Sequence, residues 1–232
     1  DFGDDVILVT SNFSDAYNAA KRELTKLENK FGSFSTLILF FSDSENFRKK
    51  ILADYKGHRN RKKPCGYKRV ISELEKEYKV IIKPTLEADD SMGIYATKYP
   101  GNMIVSPDKD MKQIPGELYN FDEKFTVNPE SGASWHLIQT LAGDQTDGYG
   151  GVPGIGVKRA EALFKDKGYS WKTVVEAFTA KGLTEEDALV NARLAKILTV
   201  NDYDFKKKRP ILWAPSPDYK VDSGTRVCTE KT

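Results

Sequence analysis

The chain has 232 residues, 39% of them hydrophobic and 30% charged, and its formal net charge is +2, which is typical of a soluble globular protein with a sizeable core. Two cysteines without a CxxC spacing and only two histidines argue against a disulfide framework and a histidine-based zinc site. No apolar run approaches the roughly 18 residues of a membrane span and no signal peptide is visible, so the cytoplasm is the expected location.

Short apolar runs and helical spacings alternate over the first 130 residues. The runs predict strands at 6–9, 36–41, 78–82, 103–105, 118–121 and 125–127. Helical spacing predicts helices over 14–31, 67–78 and 87–99, the first with Ser14 as its N-cap and Gly32 as its stop. This alternation is typical of an α/β fold with a mostly parallel central sheet flanked by helices. The reactive site of such a sheet lies beyond the carboxyl ends of its strands.

The pattern becomes helical from residue 134 onward. Helices are predicted over 134–141, 157–164, 171–179 and 184–200, the last with Thr184 and Asp187 as a capping box. From residue 214, Pro, Ser, Asp and Lys dominate and predict a loosely ordered tail. The predicted organisation is therefore an α/β core over 1–130, a helical region over 131–213 and a tail over 214–232.

Positive charge is concentrated in one segment. From Arg48 to Arg69 ten Lys and Arg residues accompany a single acid, Asp54, so this segment carries +9 and the remainder of the chain carries −7. A basic segment on an otherwise acidic protein suits a polyanionic substrate that is brought to an acidic site. The alternative is a solvated helix face.

Seven carboxylates fall into three short clusters. They are Glu87, Asp89 and Asp90, then Asp108 and Asp110, then Asp144 and Asp147, and Asp43 joins them because it follows the predicted strand at 36–41. Each cluster alone also fits a helix cap or a turn. Together on one sheet edge they would repel unless cations neutralised them, and Mg²⁺ or Mn²⁺ fits such oxygen ligands. Two such ions about 4 Å apart activate a water molecule and stabilise a leaving oxygen.

A glycine-rich turn follows the third acidic cluster. In GVPGIGVKRA (151–160), Gly154 and Gly156 permit a tight turn whose backbone N–H groups approach a phosphate. The helix predicted from Val157 offers its positive end, and Lys158 and Arg159 add charge. Such contacts would fix a duplex without reading its sequence. The alternative is a simple turn between two helices.

The basic segment contains candidate substrate-binding side chains. Tyr55 is predicted to stack on a nucleobase, and Lys56 or Arg59 to neutralise charge that grows on the phosphate in the transition state. The further predicted DNA contacts of this segment are Arg48, Lys62 and Lys63.

Four motifs resemble the structure-specific 5′ nucleases, which comprise phage 5′-to-3′ exonucleases, flap endonucleases and the 5′-nuclease domain of bacterial DNA polymerase I. The motifs are FFSDSENFRKKILADYKGHR (40–59), EADD (87–90), IVSPDKD (104–110) and GDQTDGYGGVPGIGVKRA (143–160). The wording of WHLIQTLAGDQTDGYGG and ARLAKILTVNDYDF is most similar to the exonucleases of short-tailed lytic phages.

The resemblance implies a PIN-like α/β core, a basic clamp at about 44–66 and a helix–three-turn–helix region that holds duplex DNA. It assigns a first metal cluster to Asp43, Glu87, Asp89, Asp90 and Asp108, and a second to Asp110, Asp144 and Asp147. It gives Lys56 a catalytic role and Tyr55 a stacking role beside it. It also implies a potassium ion bound by backbone oxygens of the glycine-rich turn.

The expected function is a monomeric, metal-dependent 5′-to-3′ exonuclease with flap endonuclease character. Two Mg²⁺ or Mn²⁺ ions, duplex DNA with a 5′ end or flap, and RNA–DNA hybrids are the expected cofactors and partners, in phage replication or recombination within the host cytoplasm. The alternatives are a phage ribonuclease H that removes RNA primers and a non-catalytic DNA-end binder. The second alternative arises because the family's first strand ends in a metal-binding Asp, whereas residues 6–9 are followed by Thr10, Ser11 and Asn12. We therefore expect that the natural N-terminus precedes Asp1.

Overall fold

The computed structural model describes residues 10, 12–32, 34, 36–59, 63–216 and 218–221, so the strand predicted at 6–9 lies outside it. The chain forms two compact units. Unit 1 comprises the described residues of Asp1–Phe41 and Arg59–Ile81, and unit 2 those of Ser42–His58 and Ile82–Thr232. The predicted division into a nuclease core, a helical region and a tail stays a prediction, because the compact units divide the chain along different lines.

Unit 1 contains two helices and one parallel strand pair. The helices are α1 (Phe13–Phe31) and α2 (Tyr67–Leu74), and the strands are β1 (Ile38–Phe40) and β2 (Lys79–Ile81). The N-cap of α1 is Asn12, whose Oδ1 accepts the N–H of Ser14 at 3.0 Å, so the predicted cap at Ser14 is wrong by two residues. The helix stops at Gly32 with a φ of 64°, as predicted.

Unit 2 contains the remaining elements. Its helices are α3 (Ala88–Lys98), α4 (Pro129–Ala142), α5 (Val157–Lys167), α6 (Trp171–Thr179) and α7 (Glu185–Ala195). Its strands are β3 (Met103–Val105), β4 (Gly116–Tyr119), β5 (Lys124–Val127), β6 (Gly143–Asp144), β7 (Tyr149–Gly150), β8 (Tyr203–Asp204) and β9 (Arg209–Pro210). Short 3-10 helices lie at Phe47–Lys50, Lys109–Gln113 and Val200–Asp202.

The strands do not form one mostly parallel sheet within the described residues. In unit 2, β3 pairs with β4 in parallel and β4 pairs with β5 antiparallel, while β6–β7 and β8–β9 are separate hairpins. The antiparallel pair follows from the short connection at 120–123, because a parallel partner needs a crossover of a dozen residues or more. The predicted parallel arrangement is therefore seen only as two strand pairs, one in each unit.

The helical part of unit 2 packs around α4. Leu137 and Leu141 of α4 belong to one buried cluster with Phe164 of α5 and Phe178 of α6. The capping box of α7 forms as predicted, since Thr184 Oγ1 accepts the N–H of Asp187 at 3.1 Å. No described helix combines the length and apolar character that crossing a membrane requires.

Helix α7 ends at Ala195, five residues before the predicted end. The next backbone N–H groups leave the helix for side-chain partners: Ile197 donates to Gln113 Oε1 at 3.0 Å and Leu198 donates to Asp90 Oδ1 at 3.2 Å. Periodicity alone carries no information about such distant partners.

Described residues of the predicted loose tail contact the helical region. Trp171 donates its N–H to Tyr219 O at 3.1 Å, and Val221 donates to Tyr169 O at 2.8 Å. Tyr219 also packs edge-on against Trp213, with ring centres 5.6 Å apart. Tyr219 and Val221 pack against the buried cluster of the helical part, residues 222–232 lie outside the described part of the chain, and the loosely ordered tail stays a prediction.

Candidate active site

The first acidic cluster begins α3. Glu87 is the N-cap and Asp90 occupies the third helical position, and together they form a capping box in which Glu87 donates its N–H to Asp90 Oδ2 at 3.3 Å. Acids in a first turn favour the positive helix end. The local sequence therefore fixes the position of all three carboxylates of this cluster.

Asp90 forms a buried ion pair with Arg48. The guanidinium donates from Nη1 to Oδ2 at 2.7 Å and from Nη2 to Oδ1 at 2.9 Å, while Leu198 donates its N–H to the same carboxylate. Both side chains are almost fully buried, at 1% and 0% exposure. This arrangement contradicts the predictions that Asp90 binds a metal ion and that Arg48 contacts DNA, because neither side chain has a free face.

Tyr55 joins the first and third clusters. Its hydroxyl oxygen lies 2.8 Å from Asp147 Oδ2 and 3.1 Å from Glu87 Oε2, and the residue is only 2% exposed. The predicted stacking on a nucleobase is therefore wrong for this structure, since the ring is covered. Burial raises the pKa of Tyr55, which keeps the hydroxyl protonated and able to donate.

Lys56 lies between the same two carboxylates. Its Nζ forms a salt bridge with Glu87 and lies 3.5 Å from Asp147 Oδ2, and its backbone N–H donates to Asp147 O at 2.8 Å. Burial alone raises the pKa of Glu87, but the charges of Arg48 and Lys56 outweigh it and lower that pKa. Lys56 thus lies between carboxylates of the first and third clusters, and its predicted catalytic role stays a prediction.

Two carboxylates have raised pKa values because they are buried and lie close to other negative charges. Burial, followed by the charge of Asp108, raises the pKa of Asp89 to about 7 and that of Asp110 to about 6. The charges of Asp144 and Asp147 add to the shift at Asp110. All three clusters are therefore close enough to interact electrostatically.

The third cluster stands on the β6–β7 hairpin. Burial raises the pKa of Asp144, but the side-chain hydrogen bond from Thr146 and the charge of Lys109 outweigh it and lower that pKa. Lys109 Nζ lies 3.6 Å from Asp144 Oδ2. The sequence reasoning assigned no role to Lys109, although its position between Asp108 and Asp110 was a signal.

The carboxylate of Asp43 accepts hydrogen bonds from nearby backbone N–H groups. Its Oδ2 accepts the N–H of Thr85 at 2.8 Å and its Oδ1 accepts that of Ser44 at 2.7 Å, and these two bonds lower its pKa. The backbone N–H of Asp43 donates to Leu86 O at 3.0 Å, so Asp43 lies beside the residue that precedes Glu87. Its metal role stays a prediction.

The donor set fits hard divalent cations, although the ligand geometry is not formed. Within the described residues, no three His, Cys, Asp or Glu side chains are arranged to hold a metal ion. Lys56 and Lys109 lie among the carboxylates instead. Carboxylate oxygens suit Mg²⁺ or Mn²⁺, and the raised pKa values of Asp89 and Asp110 reflect negative charge that such ions would offset.

The glycine-rich turn leads into α5 without a side-chain cap. Gly156 is the N-cap, and Gly154 has a φ of 82°, a left-handed value that favours glycine. Arg159 Nη1 donates to Gly154 O at 2.6 Å and so braces the turn, while Lys158 is exposed. The first N–H groups of α5 lack a side-chain partner from the cap residue, unlike those of α4, α6 and α7.

The other predicted clamp residues are Arg59, Lys62 and Lys63. Arg59 and Lys63 belong to unit 1 and are exposed, with Lys63 Nζ 4.7 Å from the ring centre of Tyr67. Lys62 lies outside the described residues. Their predicted roles stay predictions.

Solved structures define the class of fold. The T5 D15 protein co-crystallised with metal ions matches with a TM-score of 0.61 at 16% identity, covering 78% of this chain and 81% of that one. The bacteriophage T5 D15 flap endonuclease in a complex with DNA and metal ions matches with a TM-score of 0.60 at 16% identity, covering 78% and 80%. The chain therefore has the PIN-like α/β fold of the 5′ nucleases.

Sequence comparisons then define the family. Residues 11–131 match the model for the 5′-3′ exonuclease, N-terminal resolvase-like domain. The exonuclease of Escherichia phage T7 is 32% identical, over 77% of this chain and 74% of that protein. The chain belongs to the 5′-3′ exonuclease family, a family of nucleases that act on DNA.

Proposed function

We propose that this chain is a metal-dependent 5′-to-3′ exonuclease with flap endonuclease character, which hydrolyses phosphodiesters of duplex DNA and of RNA paired to DNA. The observation that carries the proposal is the electrostatic coupling of three carboxylate clusters, with Lys56 between Glu87 of the first and Asp147 of the third. Family membership supports the reaction, and the metal ions and DNA in the structures of the T5 D15 protein support the cofactor and substrate classes.

The carboxylates proposed to hold two Mg²⁺ or Mn²⁺ ions are Glu87, Asp89, Asp108, Asp110, Asp144 and Asp147. Bound divalent ions supply Lewis-acid stabilisation of the phosphate and lower the pKa of water. Asp43 is a further candidate ligand: its N–H donates to Leu86 O at 3.0 Å, next to Glu87, and its carboxylate accepts two turn hydrogen bonds.

Lys56 is the proposed catalytic cation. Its Nζ neutralises Glu87 and lies near Asp147 in the present arrangement. A cation in this position is available to a phosphate oxygen as negative charge develops on it. The hydrogen-bonded hydroxyl of Tyr55 holds Glu87 and Asp147 in position from the buried side.

The glycine-rich turn is the proposed grip on duplex DNA. The uncapped N-terminus of α5 and the exposed Lys158 suit a backbone phosphate, and α4 with α5 would form the two helices of a helix–three-turn–helix element. The proposal also includes a potassium ion at the backbone oxygens of this turn and three clamp contacts, Arg59, Lys62 and Lys63. The protein is proposed to act as a monomer in phage replication within the host cytoplasm.

The test compares Asp89→Asn with the exposed control Asp122→Asn on a 5′-labelled duplex with Mg²⁺. We expect at least about a 10²-fold loss of cleavage for Asp89→Asn, because an amide removes an anionic ligand without changing size. Chelation with EDTA should abolish cleavage, and Mg²⁺ or Mn²⁺ should restore it. Cleavage by Asp89→Asn at the rate of the control would refute the proposal. Cleavage of an RNA–DNA hybrid without cleavage of DNA would favour a ribonuclease H.

A further inference from the structure

A second cationic surface lies on the β8–β9 hairpin, which we call the lysine hairpin (203–210). Its turn presents four consecutive exposed cations, Lys206, Lys207, Lys208 and Arg209. Asp204 Oδ1 accepts the N–H groups of Lys206 and Lys207, both at 2.9 Å, so the turn is held by local hydrogen bonds. The backbone of the hairpin therefore holds these four cations in a defined position.

Exposed aromatic rings of this surface contact two further lysines, Lys98 and Lys83. Phe205 is 41% exposed, and Lys98 Nζ lies 4.2 Å from its ring centre, with Lys83 Nζ at 6.0 Å. Tyr99 is 47% exposed, and Lys98 Nζ also lies 5.4 Å from its ring. Tyr203 supports Phe205 from the buried side, with ring centres 5.2 Å apart.

The negative charges of this region are already engaged. Asp204 accepts the backbone N–H groups of the turn, and Asp202 pairs with Lys196 at 3.4 Å. Among the ion pairs of the described residues, none includes a cation of the lysine hairpin. The surface therefore has a net positive charge that a polyanion would neutralise.

Cations interleaved with exposed rings are the combination that binds single-stranded nucleic acid. Phosphates meet the lysines, and bases stack on the aromatic faces without regard to sequence. An acidic protein would use the cations but would gain nothing comparable from the face of Phe205. The rings therefore favour a nucleic-acid strand as the occupant.

Helix α3 relates this surface to the acidic cluster. Glu87 caps one end of α3 and Lys98 lies in its last turn at the other end. Eleven residues span about 16 Å, or roughly five nucleotide steps at 3.4 Å each. A strand that leaves a duplex at the acidic cluster needs only a short extension to reach Phe205.

We propose that the lysine hairpin binds a single-stranded extension of the nucleic-acid substrate. This inference rests on the proposed function, because it takes the acidic cluster as the place where the duplex is held. It adds a binding surface outside the carboxylates, the basic segment 48–69 and the glycine-rich turn.

Binding is measured by fluorescence anisotropy in the Asp89→Asn background with Ca²⁺. The probes are one blunt duplex and two duplexes that carry a ten-nucleotide dT extension, on the 5′ or the 3′ side. The variants are Lys206→Ala/Lys207→Ala and Phe205→Leu, which keeps apolar volume but loses the aromatic face. The matched control is Lys172→Ala/Lys181→Ala, which removes two exposed cations from α6 and the turn after it.

We expect both hairpin variants to weaken binding of an extended duplex while leaving the blunt duplex unchanged. The double variant should reduce the slope of log K against log salt by about 1.4, since each cation on a single strand contributes about 0.7. Phe205→Leu should lose roughly 5- to 100-fold in affinity. Melting temperatures of the variants establish that each one is folded.

Equal binding of all probes by the hairpin variants and the α6 control would overturn the proposal. The proposal would also be overturned if polyglutamate competed as strongly as oligo(dT) and if binding depended on the lysines but not on Phe205. That result would assign the surface to an acidic protein. Cleavage of the blunt duplex by the unmodified chain tests the proposed function separately. Hairpin-dependent binding without such cleavage would refute the proposed function alone.

Discussion

Arg48 and Asp90 form a two-bond ion pair that is buried on all sides. Nη1 of Arg48 also donates to Glu87 Oε2 at 3.3 Å, and its other donors go to backbone oxygens, from Nε to Leu194 O at 2.9 Å and from Nη2 to Lys196 O at 2.6 Å. One side chain thus joins the 3-10 helix Phe47–Lys50, the start of α3 and the end of α7. The pair holds the acidic end of α3 in place, and Arg48 links it to the proposed metal ligand Glu87.

Removing one partner of this pair should destabilise the fold strongly. Arg48→Met leaves a buried carboxylate without its cation and Asp90→Leu leaves a buried guanidinium, so each should lower the free energy of unfolding by about 3–5 kcal/mol. The double variant Arg48→Met/Asp90→Leu should lose less than the sum of the two, because no isolated charge remains. Urea denaturation measures all three values. Additive losses would show that the two side chains are not coupled.

Lys56→Ala should impair the reaction more than binding. Loss of the cation between Glu87 and Asp147 removes a charge that would stabilise the transition state, and we expect kcat to fall about 10²- to 10³-fold. Lys50→Ala removes an exposed cation from the same basic segment and serves as the control. Single-turnover cleavage and duplex affinity are measured for both. An unchanged kcat in Lys56→Ala would exclude Lys56 from catalysis.

Two adjacent glycines on the hairpin of the third cluster offer a matched comparison. A Cβ on Gly151 would lie 2.1 Å from Leu141 O, whereas a Cβ on Gly150 would meet nothing within 4 Å. Gly151→Ala should therefore lower the free energy of unfolding by about 1–3 kcal/mol, or more where backbone must shift, while Gly150→Ala should change it little. Thermal and urea denaturation distinguish them, and equal stabilities would show that the close approach of the chain is absent in solution.

Local patterns predicted the elements well where the partner was near in sequence. Helix α6 has the predicted bounds at Trp171–Thr179, and the capping box at Thr184 forms as predicted. The spacing of strands and acids predicted one sheet edge for the carboxylate clusters, but the described strands form separate sheets. The sequence could not show that Asp90 is the acid neutralised by an arginine of the same chain, because Arg48 and Asp90 are 42 residues apart.

The same limit explains the basic segment. Ten cations in one stretch indicate a surface for a polyanion, yet Arg48 faces inward because Asp90 and two backbone carbonyls receive it. Tyr55 likewise faces inward because its hydroxyl lies within hydrogen-bond distance of two carboxylates. Charge density along the chain gives the composition of a segment, but tertiary contacts decide which of its side chains reach solvent.

Buried His136 should make the stability depend on pH in a defined window. Its Nε2–H donates to Ala192 O at 2.8 Å, and burial, followed by the charge of Lys196, lowers its pKa to about 3. The unfolded chain takes up this proton near pH 6.5 and the folded chain does not, so stability is present above pH 6.5 and is lost as pH falls below it. Between pH 7.5 and 5.5 the loss from this group should be about 1.4 kcal/mol.

The variant His136→Gln keeps an N–H donor but does not titrate in this range. We expect the free energy of unfolding of this variant to fall by about 1.4 kcal/mol less than that of the unmodified chain between pH 7.5 and 5.5. Urea denaturation at both pH values gives the two differences, and carboxylate contributions cancel between the proteins. Parallel pH profiles would mean that His136 is protonated equally in the folded and unfolded chains, which its burial beside Trp213 and Lys196 argues against.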